Sequence, residues 1–273
     1  SAAIVDAEIV FIDDTTGLTW APDDTTVTVW RSENGLVSSV SLSLPELGRP
    51  ASIAADLTYD HATQHITINA AFRTVELAAL CLVESSLLRF ATADMLLDGT
   101  VRTGLALDGT FDDIAIDIVA GPGRIDLPDY YDAPLDVASA ALAVGIESGF
   151  DRVALESLSI ELDRASPPGE AADANDTAAA TDNGPPGGGP RFLVVGDMTG
   201  LQGGPASLAL DVTIENVDFA TLGAFWPNGH GGDARDWTAS HITEGMAERA
   251  QIFLRLGWPD GFEGEIAVDQ FTG

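Results

Sequence analysis

Apolar and polar residues alternate with period two over much of the chain, the signature of strands with one dry and one wet face. Residues 25–31 read TTVTVWR, 38–44 SSVSLSL, 52–59 SIAADLTY and 65–72 HITINAAF. The apolar members share one face of each strand: Val27 and Val29, then Val40, Leu42 and Leu44, then Ile53, Leu57 and Tyr59, then Ile66, Ile68 and Phe72. Turn signals separate the runs, among them Glu33-Asn34-Gly35 and the stretch from Pro45 to Pro50. Similar patterning predicts strands at 104–109, 113–120, 135–145, 152–162, 192–197, 207–216 and 247–256. The expected fold is mainly β, an elongated and curved antiparallel sheet with one apolar face. A second sheet or a closed barrel would cover that face, and so would a sheet curled into an open, taco-like groove.

Two stretches break the alternation. Residues 74–90 show helical spacing, with Val75, Ala78 and Leu82 on one row and Leu77, Leu80, Leu87 and Leu88 on another. Residues 219–226 together with 233–242 form a second helical block. Gly99 and Gly245 follow these blocks, and strand-like runs follow the glycines, which suggests a weak internal repeat of sheet, helix, glycine turn and sheet. Residues 165–190, ASPPGEAADANDTAAATDNGPPGGGP, are too small and polar to bury a core and read as a mobile loop or linker. The chain therefore divides into a β-rich segment 1–164, this loop, and a continuation 191–273. A long hairpin insertion is favoured over a domain boundary, because 191–273 alone is short of a full core.

Composition narrows the function classes. At 273 residues and 45% hydrophobic content the chain can build a large core and is not wholesale disordered. No run reaches the roughly 18–20 apolar residues of a membrane-spanning helix, and no signal peptide is evident at the start. Since the opening IVDAEIVFIDD already reads as a strand, the sequence is expected to be a piece of a longer protein. The formal charge is −31, and all 12 basic residues are arginines. Such a field repels phosphate backbones, so nucleic acid is not an expected partner, and it opposes adsorption to anionic membranes. A solubility or salt adaptation explains it. The acidic loops DDTT, DGTFDD and GGDARD lack the ligand spacing of a calcium loop. The single cysteine, Cys81, sits in an apolar stretch and reads as a buried thiol, so packing alone must hold the fold.

Little speaks for catalysis. The chain has no Gly-x-Ser-x-Gly elbow, P-loop, dinucleotide fingerprint or His-Glu-x-x-His. His61 and His65 flank a probable turn, but no third ligand accompanies them, so a surface pair is expected and not a metal site. His230 lies near Asp233 in a glycine-rich loop without a further partner, and His241 completes the set. The pairs Asp13-Asp14, Asp23-Asp24 and Asp112-Asp113 read as solvated turn residues. No catalytic residue, metal or cofactor is expected.

The most specific segment is 226–245, WPNGHGGDARDWTASHITEG, followed by the strand MAERAQIFLRL. Pro227 ends a helix, Asp233 caps the next, Trp237 is expected to pack under the sheet edge, and Arg235 to satisfy a carboxylate or helix carbonyls. The succession of Trp226, Pro227, Asp233, Arg235, Trp237, Ile242 and Gly245 resembles the signature of the AsmA-like superfamily, in particular its YhdP and TamB-like branch. The opening IVDAEIVFIDDTTGLTW resembles the strand openings of those proteins.

The resemblance implies a non-enzymatic, periplasmic segment of a Gram-negative envelope protein concerned with lipid transport and outer-membrane biogenesis. The remainder of the longer chain would anchor it to the inner membrane. The implied partner is a phospholipid or other acyl-chain lipid held in an apolar groove. The candidate groove residues are Val27, Val29, Val40, Leu42, Ile53, Leu57, Ile66, Ile68, Ile114, Ile116, Ile118, Leu208, Leu210, Val212 and Ile214. The competing expectation is an extracellular or surface structural or adhesive β-domain, in which the same residues form an ordinary closed core.

Overall fold

The computed structural model of the chain describes residues 2–7, 11–12, 19–45, 51–80, 90–163, 188–228, 237–238, 240–242, 244–259 and 267–272. The strands are β1 (Ala2–Ala7), β2 (Phe11–Ile12), β3 (Thr19–Trp20), β4 (Asp23–Arg31), β5 (Gly35–Leu44), β6 (Ala51–Asp60), β7 (His65–Glu76) and β8 (Leu96–Ala106). They continue as β9 (Ile114–Ala120), β10 (Gly123–Ile125), β11 (Leu135–Ile146), β12 (Arg152–Leu162), β13 (Arg191–Thr199), β14 (Ala206–Asp218), β15 (Met246–Trp258) and β16 (Ala267–Thr272). Among the described residues two short helices interrupt them, α1 (Leu77–Leu80) and α2 (Leu222–Phe225), and 237–238 and 240–241 are also helical.

One 14-stranded antiparallel sheet contains all but β2 and β3, which pair with each other. Its order is β1-β4-β5-β6-β7-β8-β9-β11-β12-β13-β14-β15-β16, so nearly every strand pairs with its neighbour in the chain. β10 continues the line of β9 along β11, in unchanged register. β1 and β16 are the two edges, and the sheet does not close into a barrel. Thirteen strands at about 4.8 Å give a ribbon roughly 58 Å long.

The meander makes the two ends of the strands unequal. At one end the connections are tight: 32–34, 61–64, 107–113, 147–151 and 200–205. At the other they are long, and include 77–95, 121–134, 163–190 and 219–245. We call these the hairpin rim and the loop rim. Packing follows this asymmetry. Except for Ala206, the buried hydrophobic residues lie at the loop rim: Leu44, Ala51, Val75, Ala93, Met95, Leu97, Ala120, Val137, Leu162 and Val217. Leu77, Ala79 and Leu80 of α1 and Phe225 of α2 pack against this cluster. The core is therefore a band along one rim.

Several expectations change. The helix expected at 74–90 is confined to α1 among the described residues; 74–76 belong to β7, and 81–89, with Cys81, lie outside them. Leu97 pairs with Val75 and draws that part of the chain into the sheet. Thr74, at φ 59°, forms the bulge that keeps Val75 on the apolar side. The strand expected at 104–109 starts earlier, at Leu96, and ends at Ala106. Gly99 consequently lies inside β8, opposite Phe72, whose ring occupies the place of a Cβ, whereas Gly245 precedes β15 at φ 115°. The two glycines do different work, and the glycine turn of the internal repeat is absent at Gly99. The loop 165–190 lies largely outside the described residues, but its flanks β12 and β13 are sheet neighbours. Leu162 N–H donates to Pro190 O at 3.0 Å, so the sheet runs through this junction as a hairpin connection.

Candidate functional site

Cross-strand register decides which side chains share a face. Val27 pairs with Val40, Leu42 with Ile53, Leu57 with Ile68, and Ile66 with Tyr59. Ile116 lies between Val101 and Val144, Ile118 between Gly99 and Leu142, and Ile114 opposite Ile146. Leu208, Leu210, Val212 and Ile214 oppose Met198, Gly196, Val194 and Phe192 on one side, and Leu256, Leu254, Ile252 and Ala250 on the other. Followed through the ladder, all fifteen groove candidates, Val29 included, lie on one face. Each is half-buried. Leu42, Ile53 and Ile118 also touch the loop-rim core.

The same face carries residues that sequence reasoning passed over: Val101, Leu105, Leu142, Val144, Ile146, Val153, Leu155, Leu158, Ile160, Val194, Met198, Ile252, Leu254 and Leu256. β11 conceals its face because small apolar residues occupy both sides, as in ASAALAV. β12 conceals it because a bulge between Leu155 and Leu158 offsets the alternation. The apolar surface therefore continues from β4 to β15.

The opposite face is mixed: ion pairs and polar residues dominate it, and Trp30, Val119, Val195 and Phe253 stand exposed among them. Arg102 meets Asp117 at 2.7 Å, Arg124 meets Asp136 at 2.8 Å, and Arg152 meets Glu147 at 2.6 Å. Hydrogen bonds that Arg124 donates to Asp136 and Arg152 to Glu147 push both guanidinium pKa values up, but all three pairs are exposed and contribute little to stability. His61 Nδ1 lies against Asn34 O, whereas His65 Nε2 meets Asp112 Oδ2 at 2.9 Å, so the two histidines take separate partners. Asp112 and Asp113 are likewise separated, Asp113 accepting from Ser148 N–H at 2.7 Å. Among the described residues no group of three or more His, Cys, Asp or Glu could hold a metal, and no helix is long and apolar enough to cross a membrane.

The 226–245 segment is partly described. α2 ends at Phe225, and Trp226 takes the extended conformation (φ −88°, ψ 118°) demanded of a residue before proline. Asn228 N–H donates to Tyr130 O at 2.6 Å and its amide to Asp132 Oδ1 at 2.8 Å, fastening this segment to the β10–β11 connection. Trp237 does not pack under the sheet edge. It is 56% exposed and stacks on His241 at 4.9 Å, one helical turn away. Ile242 is half-buried, its N–H bonded to Thr238 O at 2.8 Å. Gly245 O accepts from Phe219 N–H at 3.0 Å, and its left-handed φ is one that residues with a Cβ rarely adopt. Asp233, Arg235 and His230 lie outside the described residues. No family model, no curated protein and no solved structure matches the chain.

Proposed function

We propose that the apolar face is a trough that holds lipid acyl chains, and that the chain is a non-enzymatic segment of an AsmA-like envelope protein. One observation carries the reading: apolar residues on the sheet strands from β4 to β15, the fifteen candidates among them, form a continuous face that is half-buried and has a packed core along one rim only. An ordinary core would bury these residues on all sides. The loop rim, covered by α1 and α2, is the closed wall, and the hairpin rim is the mouth through which chains enter.

The mechanism is physical. Each methylene moved from water into full apolar contact gains about 0.8 kcal/mol. For a sixteen-carbon chain half-sheltered by the trough this amounts to roughly 6 kcal/mol before the cost of association. The head group stays in water at the mouth, so a lipid can slide along the ribbon without a covalent step. With this reading go a periplasmic location and an anchor to the inner membrane in a longer chain. The alternative, a structural or adhesive surface β-domain, leaves the apolar face without a ligand.

Organic extraction of the purified protein followed by mass spectrometry tests the proposal. Phospholipid or fatty acid at near-stoichiometric amounts is the expected result. A lipid-free, stable and monomeric protein would overturn it in favour of the structural module.

A further inference from the structure

The face opposite the trough carries a second concavity, whose lining also includes Ile68 and Thr103 of the strands beneath. A shallow, open depression of about 560 Å³ lies over β7, β8 and β9 at the hairpin rim. Its floor includes Thr67, Asn69, Arg102 and Ala115, and its wall is formed by Asp112 and Asp113 of the 107–113 loop with Ser148. That wall is held from several sides. Asp112 N–H donates to Gly104 O at 2.9 Å, and Ser148 Oγ–H to Phe111 O at 3.0 Å. Phe111 and Phe150 meet edge to face with centroids 6.2 Å apart. The concavity is thus pre-formed, which lowers the ordering cost of binding.

Gly104 makes room for it. A Cβ there would collide with Asp112 Oδ2 and the His65 ring, so the His65–Asp112 pair can lie across β8 only because the residue beneath has no side chain.

The chemistry selects the ligand class. The carboxylates at the site are already engaged: Asp112 by His65, Asp117 by Arg102, and Asp113 by the Ser148 amide. A metal or ammonium ion would have to compete with these partners. An anion would meet a chain of charge −31 and an arginine already neutralised. What is left is a mixture of donors and acceptors. Asn69 and Thr67 make no side-chain hydrogen bond among the described residues, and the carboxylates keep spare lone pairs. Neutral groups that both donate and accept at short spacing, such as the vicinal hydroxyls of a sugar ring, fit this mixture. The small floor residue Ala115 leaves room for the flat face of such a ring.

We propose that this depression binds a neutral saccharide unit, with Asn69, Thr67 and Arg102 as its principal hydrogen-bonding side chains. Saturation-transfer NMR on the full chain, with D-glucose, D-galactose and N-acetyl-D-glucosamine as probes, tests it. Calcium chloride and inorganic phosphate serve as charged probes. At least one saccharide is expected to bind. N69A should weaken it at least fivefold, and G104A, whose Cβ displaces the His65–Asp112 pair, should abolish it. Q251A, elsewhere on the same face, should leave it unchanged. Because Asn69 is exposed, N69A is expected to keep the parent thermal midpoint, so its loss of binding is not a loss of fold. Absence of saccharide binding, binding indifferent to N69A, or binding of calcium or phosphate alone would each overturn the proposal. The lipid content of N69A should match the parent, so the two sites stand or fall separately.

Discussion

Replacing Ile116 by asparagine separates a trough from a core. Ile116 lies mid-face on β9 between Val101 and Val144 and is half-buried. A fully buried isoleucine contributes about 1.5–3 kcal/mol by area, so one that is largely but not fully covered contributes about 1–2 kcal/mol. On an open face the amide keeps its hydrogen bonds to water, and no desolvation cost is added. The expected loss is therefore about 1–2 kcal/mol, or roughly 2–8 °C in thermal midpoint for a chain of this size. In a closed core the same change would add an unsatisfied buried amide and a packing defect, with a loss of about 4 kcal/mol or more. The effect on lipid is separate. Each residue that loses contact with an acyl chain weakens binding by about 1 kcal/mol, close to fivefold. The triple variant I68N/I116N/L210N should then lose lipid by about two orders of magnitude while staying folded. Circular-dichroism melts and quantitative lipid extraction read the two effects. A melt for I116N lowered by 10 °C or more, or a triple variant with undiminished lipid, would refute the reasoning.

Other consequences follow from the same structure. Val137 is 1% exposed in the loop-rim core, and Val137→Ala should cost about 2 kcal/mol in chemical denaturation, clearly more than Ile114→Ala on the open face. Gly245→Ala forces a Cβ into φ 115° and should destabilise by about 1 kcal/mol or more, whereas Gly223→Ala, where a Cβ meets open space, should be neutral or slightly stabilising in the same melt. Raising ionic strength from 0.01 to 1 M shortens the screening length from about 30 to about 3 Å. It should raise the thermal midpoint, because relief of repulsion in a chain of charge −31 outweighs the loss of a few exposed ion pairs; a falling midpoint would contradict this. The Asp60 carboxyl is held below the usual carboxylate range by the Ala62 and Thr63 amides. The turn it closes is supported above that range and released as pH falls through the lowered value, which faster amide exchange at Ala62 should report.

The alternation in residues 25–72 made the strands and their apolar face legible, because side-chain direction along a strand is a local property with period two. Val40, Leu42, Ile53 and Ile68 could be assigned to one side without knowing what packed against them. The Glu33-Asn34-Gly35 turn and the Trp226-Pro227 helix stop were legible for the same reason, since glycine, asparagine and proline restrict the backbone where they stand. Charge and composition showed a polar outer surface in the same way.

Tertiary structure decided the rest. Thr74 and the bulge between Leu155 and Leu158 shift the face by a residue, and only pairing with β8 and β13 reveals it. The period-2 pattern is identical for a barrel, a sandwich and an open ribbon. The absence of pairing between β1 and β16 distinguishes them, and that depends on contacts between opposite ends of the chain. The covered rim arises because every long connection emerges at the same strand ends, a consequence of strand order. The polar concavity needs His65, Arg102, Asp112 and Ser148 brought together from four places in the chain. No local pattern specifies such a meeting, because it depends on register summed across strands.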